Sequence, residues 1–111
     1  PDKEFLAKAI ACVNKHMDDA DYGRESFASD MGMSSSSLYN KLRAVTGMNA
    51  TSFIRDIRMK EACRLAKATP GIRVSDLAYS VGYKDPKYFA TIFKKEFGMQ
   101  PSEYIENIVN Q

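Results

Sequence analysis

An internal repeat constrains this chain more than any other feature of its sequence. Residues 27–54 align with residues 77–105, and the alignment needs one additional residue in the second copy. The offset is 50 before that residue and 51 after it. The matched residues are Ala28 with Ala78, Gly32 with Gly82, Leu38 with Phe89, Leu42 with Phe93, Gly47-Met48 with Gly98-Met99, Phe53 with Tyr104 and Ile54 with Ile105. The chain is therefore predicted to contain two copies of one structural unit.

Each copy has the layout of a helix-turn-helix: a short segment of helical periodicity, a turn that contains glycine, and a second helical segment. Gly32 and Gly82 suit the turns because a positive φ would strain a residue that carries a side chain. Generic helical hairpins have the same outline, so the layout alone does not indicate a function.

The rest of the chain is also predicted to be helical, and no segment reads as a strand. Ser34, Asn49 and Asp85 are the expected N-caps. The predicted fold class is all-α, with about seven helices that form two helix-turn-helix subdomains joined by a long connecting helix. The expected boundaries are a first helix at about 3–17, helix-turn-helix 1 at about 24–47, the connecting helix at about 49–67, helix-turn-helix 2 at about 74–98 and a C-terminal helix at about 101–109.

The second helix of each copy is predicted to present a polar face without acidic residues. At about 100° per residue, Leu38 and Leu42 point inward in the first copy, as do Phe89 and Phe93 in the second. Opposite them lie Ser36, Asn40 and Arg43, matched by Lys87, Thr91 and Lys94, with Tyr39 and Lys95 on the flanks. Base edges are read by hydrogen-bond donors and acceptors, and phosphates attract cations, so these faces fit a DNA groove.

Positive charge is concentrated in the middle of the chain. Residues 40–95 carry twelve Lys/Arg against four Asp/Glu, whereas residues 1–30 carry four against seven. A polyanion contact needs such a distribution, although a solvated basic face would look the same. The connecting helix, of about 27 Å, can hold two recognition helices about one DNA turn apart. Five cations on or near it either reach phosphates or are ordinary surface charges: Arg55, Arg58, Lys60, Arg64 and Lys67.

The sequence offers little for catalysis. It has no His/Cys/Asp cluster, no glycine-rich phosphate loop and no convincing pair of acids. Cys12 and Cys63 are expected to be buried free thiols, and His16 a helix-end or surface residue. We therefore expect no enzyme activity, cofactor or metal in this domain.

Three segments resemble the DNA-binding domain of the AraC/XylS family. They are G-M-S-S-S-S-L-Y-N-K-L (32–42), I-R-D-I-R-M-K-E-A (54–62) and V-S-D-L-A-Y-S-V-G-Y-K-D-P-K-Y-F-A-T-I-F-K-K-E-F-G-M-Q-P-S-E-Y-I (74–105). The last is the most specific. The chain is most similar to the domain that closes bacterial hybrid two-component sensor-regulators, in which a sensor, a histidine kinase and a receiver come first. The resemblance implies that residues 1–20 form a helix and linker from a preceding domain, and residues 21–111 the homeodomain-like, AraC-type domain.

The resemblance also implies which residues contact DNA. Ser36, Tyr39 and Asn40 fall where the family reads bases with its first recognition helix, and Lys87, Tyr88 and Thr91 fall at the matching places in the second. With neighbouring cations and hydroxyls, the complete expected set is Ser35, Ser36, Tyr39, Asn40, Arg43, Lys84, Lys87, Tyr88, Thr91, Lys94 and Lys95. The four serines at 34–37 replace bulkier or longer polar residues, which predicts mainly backbone anchoring by the first helix.

The expected partner is promoter or operator DNA in double-stranded form, with RNA polymerase as a further candidate and no small-molecule ligand in this domain. The isolated domain is expected to be a monomer and the full-length protein a homodimer. The expected location is cytoplasmic, which allows a full-length protein anchored in the inner membrane. The alternative is a helical module that binds RNA polymerase or a receiver domain without reading DNA.

Overall fold

The computed structural model describes all 111 residues and contains seven α-helices and no strand. The helices are α1 (Asp2–Lys15), α2 (Arg24–Asp30), α3 (Ser35–Thr46), α4 (Ala50–Ala68), α5 (Val74–Ser80), α6 (Pro86–Phe97) and α7 (Pro101–Val109). The predicted all-α fold class is confirmed. None of the helices combines the length and the apolar character that crossing a membrane requires.

The chain forms two compact units, and α4 contributes to both. The first unit comprises residues 1–17 and 21–57, and the second comprises residues 18–20 and 58–111. The short segment Asp18–Ala20, which lies between α1 and α2, thus belongs to the second unit, whereas the two helices that flank it belong to the first.

The core of the first unit is built from the apolar stripes of α1 to α4. Phe27 of α2 is fully buried, and its ring stacks against that of Phe53 of α4 with centroids 5.7 Å apart. Ala9 and Val13 of α1 and Leu42 of α3 are also fully buried, so α1 is an integral part of this core. Burying such side chains removes apolar surface from water and stabilises the unit.

The core of the second unit includes a series of packed aromatic rings. Phe93 of α6 has its ring centroid 5.8 Å from that of Phe89, 4.7 Å from that of Phe97 and 5.6 Å from that of Tyr104 on α7. Phe89 and Phe93 are fully buried, as their inward positions on α6 predict. Tilted ring pairs at these distances are favourable arrangements of the aromatic quadrupoles.

His16 is more than a surface residue. Its ring stacks on Tyr22 with centroids 4.4 Å apart, and its Nε2 lies 3.1 Å from Oδ2 of Asp30. The Tyr22 hydroxyl donates to the same carboxylate oxygen at 3.0 Å. These contacts connect the end of α1 to the end of α2. The two cysteines are free thiols as predicted, but each is half-buried, not fully buried.

Candidate nucleic-acid interface

The two helices predicted to carry recognition residues, α3 and α6, are matched in length and in their ends. Each has twelve residues. Ser34 caps α3 by accepting a hydrogen bond from the amide of Ser37, and Asp85 caps α6 by accepting one from the amide of Lys87. At the other end of each helix stands a left-handed glycine, Gly47 or Gly98. Caps of this kind satisfy amides and carbonyls that a helix leaves without partners at its ends.

The turn that precedes each helix is also repeated. Gly32 and Gly82 adopt φ values of 70° and 87°, as the sequence predicts. The residue after each glycine donates to the carbonyl of an alanine five residues earlier, at 3.0 Å for Met33 and 2.9 Å for Tyr83. Each glycine amide also bonds to the carbonyl three residues earlier, which completes a Schellman motif. The same glycine turn therefore ends the first helix of each copy, and the second helix begins three residues after the glycine in the first copy and four residues after it in the second.

All eleven residues that the sequence proposes for the site are exposed. Within the first unit, Ser35, Ser36, Tyr39 and Asn40 lie together along a groove of about 500 Å³. Arg43 does not line this groove. Its Nη1 donates to the carbonyl of Gly47 at 3.0 Å. Its guanidinium is therefore engaged with the C-terminal end of its own helix.

The groove brings additional hydrogen-bonding residues to the same place. It is lined by Arg24, Ser35, Ser36, Leu38, Tyr39, Asn40, Asn49, Ala50 and Thr51. Neither α3 nor α4, whose first residues line it, has an acid in its first turn. Arg24, Asn49 and Thr51 were not predicted as site residues, because their only signal in the sequence is a place beside a helix start. A cation, hydroxyls and amides without an acid suit an anionic ligand such as a phosphate.

The second helix offers a more basic face. Lys87, Lys94 and Lys95 of α6 are exposed, and Thr91 donates its hydroxyl to the carbonyl of Lys87 at 3.1 Å. Tyr88 is 56% exposed even though its ring centroid lies 6.1 Å from that of Tyr83. Lys84 is exposed in the turn before the helix. This face thus combines cations, which attract anionic groups, with a hydroxyl and a phenol that can form hydrogen bonds.

The cations of α4 do not form one surface. Arg58 is only 5% exposed and donates to two main-chain carbonyls, so it cannot contact a phosphate. Arg64 forms two hydrogen bonds with Glu61, at 2.6 and 2.8 Å. Arg55 donates to the hydroxyl of Ser52 at 3.2 Å. Lys60 and Lys67 are exposed. The prediction that these residues either reach phosphates or are ordinary surface charges is wrong for Arg58.

The structure contains no group of three His, Cys, Asp or Glu residues that could hold a metal ion. Burial raises the pKa of the Cys63 thiol, against the effects of its hydrogen bond with Tyr104 and the charge of Lys67. A raised pKa lowers the fraction of the reactive thiolate at neutral pH. This cysteine is therefore a poor candidate for a nucleophile.

A family model described as a helix-turn-helix domain matches residues 27–107 of this chain. The match includes both turns and both matched helices. The chain belongs to the AraC-type helix-turn-helix family of transcription regulators. The AraC-type domain thus accounts for the repeat from which the sequence analysis began.

Relatives place the AraC-type domain in different protein contexts. The chain is 37% identical over 103 residues to histidine kinase P4 of Formosa agariphila. The aligned segment is 93% of this chain but only 7% of that protein. A DNA-binding transcriptional dual regulator from Escherichia coli K-12 superposes with a TM-score of 0.86 and 26% identity, covering 96% of this chain and 94% of that one. The C-terminal domain of AraT, a response regulator from Geobacillus stearothermophilus, superposes with a TM-score of 0.83 and 28% sequence identity. The superposition covers 93% of this chain and 84% of that one.

Proposed function

We propose that this chain binds double-stranded DNA sequence-specifically, with α3 and α6 in adjacent segments of the major groove. The observation that carries the proposal is the repetition of one exposed, polar face: Ser36, Asn40 and Arg43 on α3 correspond to Lys87, Thr91 and Lys94 on α6. The description of the Escherichia coli relative as DNA-binding supports it. One shared connector, α4, has nineteen residues and a length of about 28 Å, which suits two helices about one DNA turn apart.

The two helices are proposed to make different contacts with DNA. On α6, Lys94 and Lys95 neutralise phosphates, because phosphates attract ammonium groups. Lys87, Tyr88 and Thr91 face bases, where the ammonium group of Lys87 can donate to the acceptors of guanine. The basic residue Lys84 adds a cation in the preceding turn.

On α3, the short hydroxyls of Ser35 and Ser36 anchor the DNA backbone. Asn40 is the best base reader of this helix, because a side-chain amide can bind adenine through two hydrogen bonds. Tyr39, half exposed, lies beside it. Arg43 is exposed and uses Nη1 for the carbonyl of Gly47, and its other N–H donors are proposed to contact a phosphate.

The larger protein is proposed to be a regulator of transcription in which this domain is the output. Residues 1–20, whose helix α1 also packs into the core of the first unit, would connect residues 21–111 to a preceding domain. Phosphorylation of a receiver would control the domain, as the likenesses to a histidine kinase and a response regulator suggest. We propose a monomer for the isolated domain, a homodimer for the full-length protein, and a contact with RNA polymerase on promoter DNA.

The experiment is a titration of the 111-residue chain with labelled duplex DNA at 50 mM and 200 mM salt. Neutralising several phosphates releases counterions, so affinity should fall by orders of magnitude between the two concentrations. A chain that binds no duplex at either concentration would contradict the proposal and favour a module that binds protein through a contact less sensitive to salt.

A further inference from the structure

A buried arginine connects two distant segments of the second unit. Arg58 of α4 donates from Nη1 to the carbonyl of Gly82 at 3.0 Å and from Nη2 to the carbonyl of Asp19 at 2.7 Å. Gly82 is the turn glycine before α6, and Asp19 lies in the segment between α1 and α2. Two main-chain positions 63 residues apart in the chain are thus held by one guanidinium.

This arrangement needs an arginine. The planar guanidinium presents several N–H donors in a fixed fork, whereas a lysine has one ammonium at the end of a flexible stem. The two nitrogens serve two acceptors that belong to different segments. The carbon at the centre of the guanidinium also lies 5.7 Å from the centroid of the Tyr83 ring, within the range of a cation–π contact.

Stability alone is a weak explanation for this residue. Burial lowers the pKa of the Arg58 guanidinium, while Tyr83 and Asp19 act in the opposite direction. Its Nε–H is buried without a hydrogen-bond partner. Taking a cation and an unpaired donor out of water is costly, and well-packed apolar residues often stabilise a core as well as buried charges do. The arginine instead fixes the positions of its two acceptors, the carbonyls of Gly82 and Asp19, relative to each other.

The contacts of Arg58 lead directly to α6. Tyr83, the residue after the bonded glycine, has its ring centroid 5.6 Å from that of Phe89 and 6.1 Å from that of Tyr88. Phe89 is the buried anchor of α6, and Tyr88 stands on its exposed side. A shift at the turn would therefore pass through packed rings to the side chains that face outward from α6.

We propose that Arg58 is a positioning residue that fastens the turn before α6 to the Asp18–Ala20 segment, so that the conformation of this segment and the presentation of the second recognition helix are coupled. The proposal rests on the proposed DNA binding for its functional half. Its structural half, the link between the two segments, stands independently.

The first test is amide hydrogen exchange on Arg58→Met in the 111-residue chain, with Arg64→Met as the matched control on the exposed side of α4. Because methionine donates to neither carbonyl, exchange should become about tenfold faster at Gly82 and Tyr83, whose amides bond to the carbonyls of Tyr79 and Ala78. The NMR resonance of the Ala20 amide, which shares its peptide group with the carbonyl of Asp19, should also shift. Exchange at Gly32 and Met33, the equivalent turn in the first copy, should change by less than about twofold. Unchanged exchange at Gly82 and Tyr83, an unchanged resonance of Ala20, or an equal rise in exchange in both turns overturns the proposal.

Arg58→Lys provides a second variant if the methionine variant does not fold. One ammonium cannot replace a fork that spans two acceptors, so the change seen in Arg58→Met should appear at one of the two segments and be absent at the other. Exchange at Gly82 and Tyr83 and a resonance of Ala20 that all match the unaltered chain would mean that any cation suffices, which overturns the role assigned to the guanidinium.

The second test measures DNA. On a duplex with two selected sequence blocks, Arg58→Met should lose about tenfold in discrimination at the block read by α6 and less than about twofold at the block read by α3. Equal losses at both blocks would show a general effect on stability and overturn the positioning role. Absence of DNA binding by the unaltered chain would instead contradict the proposed function, and hydrogen exchange would still decide the link.

Discussion

Gly32 and Gly82 occupy the same place in two copies of one turn. Both have a positive φ, at 70° and 87°, and in both copies the next amide bonds to the carbonyl of an alanine, Ala28 or Ala78, that is nearly or fully buried. The repeat in the sequence is therefore a repeat in backbone conformation. It determines how the first helix of each copy ends.

Gly32→Ala should lower the free energy of unfolding by about 1–2 kcal/mol, because the left-handed conformation is strained for a residue with a Cβ. Nothing lies within 4 Å of a Cβ built at this position, so the backbone alone accounts for the cost. Gly32→Asn, which tolerates this conformation better, should lose less. Urea unfolding measures both; equal losses would point to a cause other than φ.

Asp85 is expected to help α6 fold and to oppose its contact with DNA. Asp85→Ala removes the cap of the Lys87 amide and should cost about 1 kcal/mol in the free energy of unfolding. Asp85→Asn keeps a capping oxygen and removes the charge, so stability should hold while duplex affinity rises, most clearly at low salt. Thermal unfolding and DNA titration check the pair. If Asp85→Asn binds no more tightly, this end of α6 is not close to phosphates.

Lys87→Ala should weaken specific DNA binding by about 1–3 kcal/mol if the ammonium reads a base, and relax the preference at one position. If it contacts a phosphate, affinity should fall for all sequences and the salt dependence should lose about one unit of slope. Lys3→Ala, an exposed lysine on α1, is the control and should leave binding unchanged. Equal affinity of the two variants would count against α6 as a recognition helix.

The environment of the Tyr22 hydroxyl predicts that the folded chain loses stability at alkaline pH. Burial, the hydrogen bond to Asp30 and the charge of Asp30 all raise the pKa of Tyr22 above its ordinary value of 10.0. Above pH 10 the unfolded chain releases the phenolic proton and the folded chain keeps it. The free energy of unfolding should therefore fall with pH by up to about 1.4 kcal/mol per unit more than in Tyr22→Phe. Parallel curves for the two proteins between pH 9 and 11 would refute this.

Much of the fold could be predicted because its signals are local. The bounds of α3 follow from a serine that caps it and a glycine that ends it, and Pro86 marks the first residue of α6. Ends without a cap were less accurate: α1 was expected to continue to Met17 but ends at Lys15. His16 was missed as a packing residue because its partners, Tyr22 and Asp30, are brought to it by the fold.

Arg58 shows where sequence reasoning failed for the site. The sequence predicts that a cation on the connecting helix either reaches a phosphate or is an ordinary surface charge, yet Arg58 lies four residues from Ile54 and four from Ala62, both buried. That spacing places Arg58 on the inward face of α4, and it is the signal in the sequence that could have predicted the burial of this residue. Its acceptors are main-chain carbonyls, which leave no mark in the sequence, so its partners could not be predicted.

Selection of the 111-residue chain on a random pool of duplex DNA tests the central claim most directly. Two helices in adjacent major grooves should enrich a site with two sequence blocks whose centres are about 10 base pairs apart, as one turn of DNA requires. Enrichment of a single block, or of two blocks without fixed spacing, would contradict the claim that α3 and α6 read DNA together.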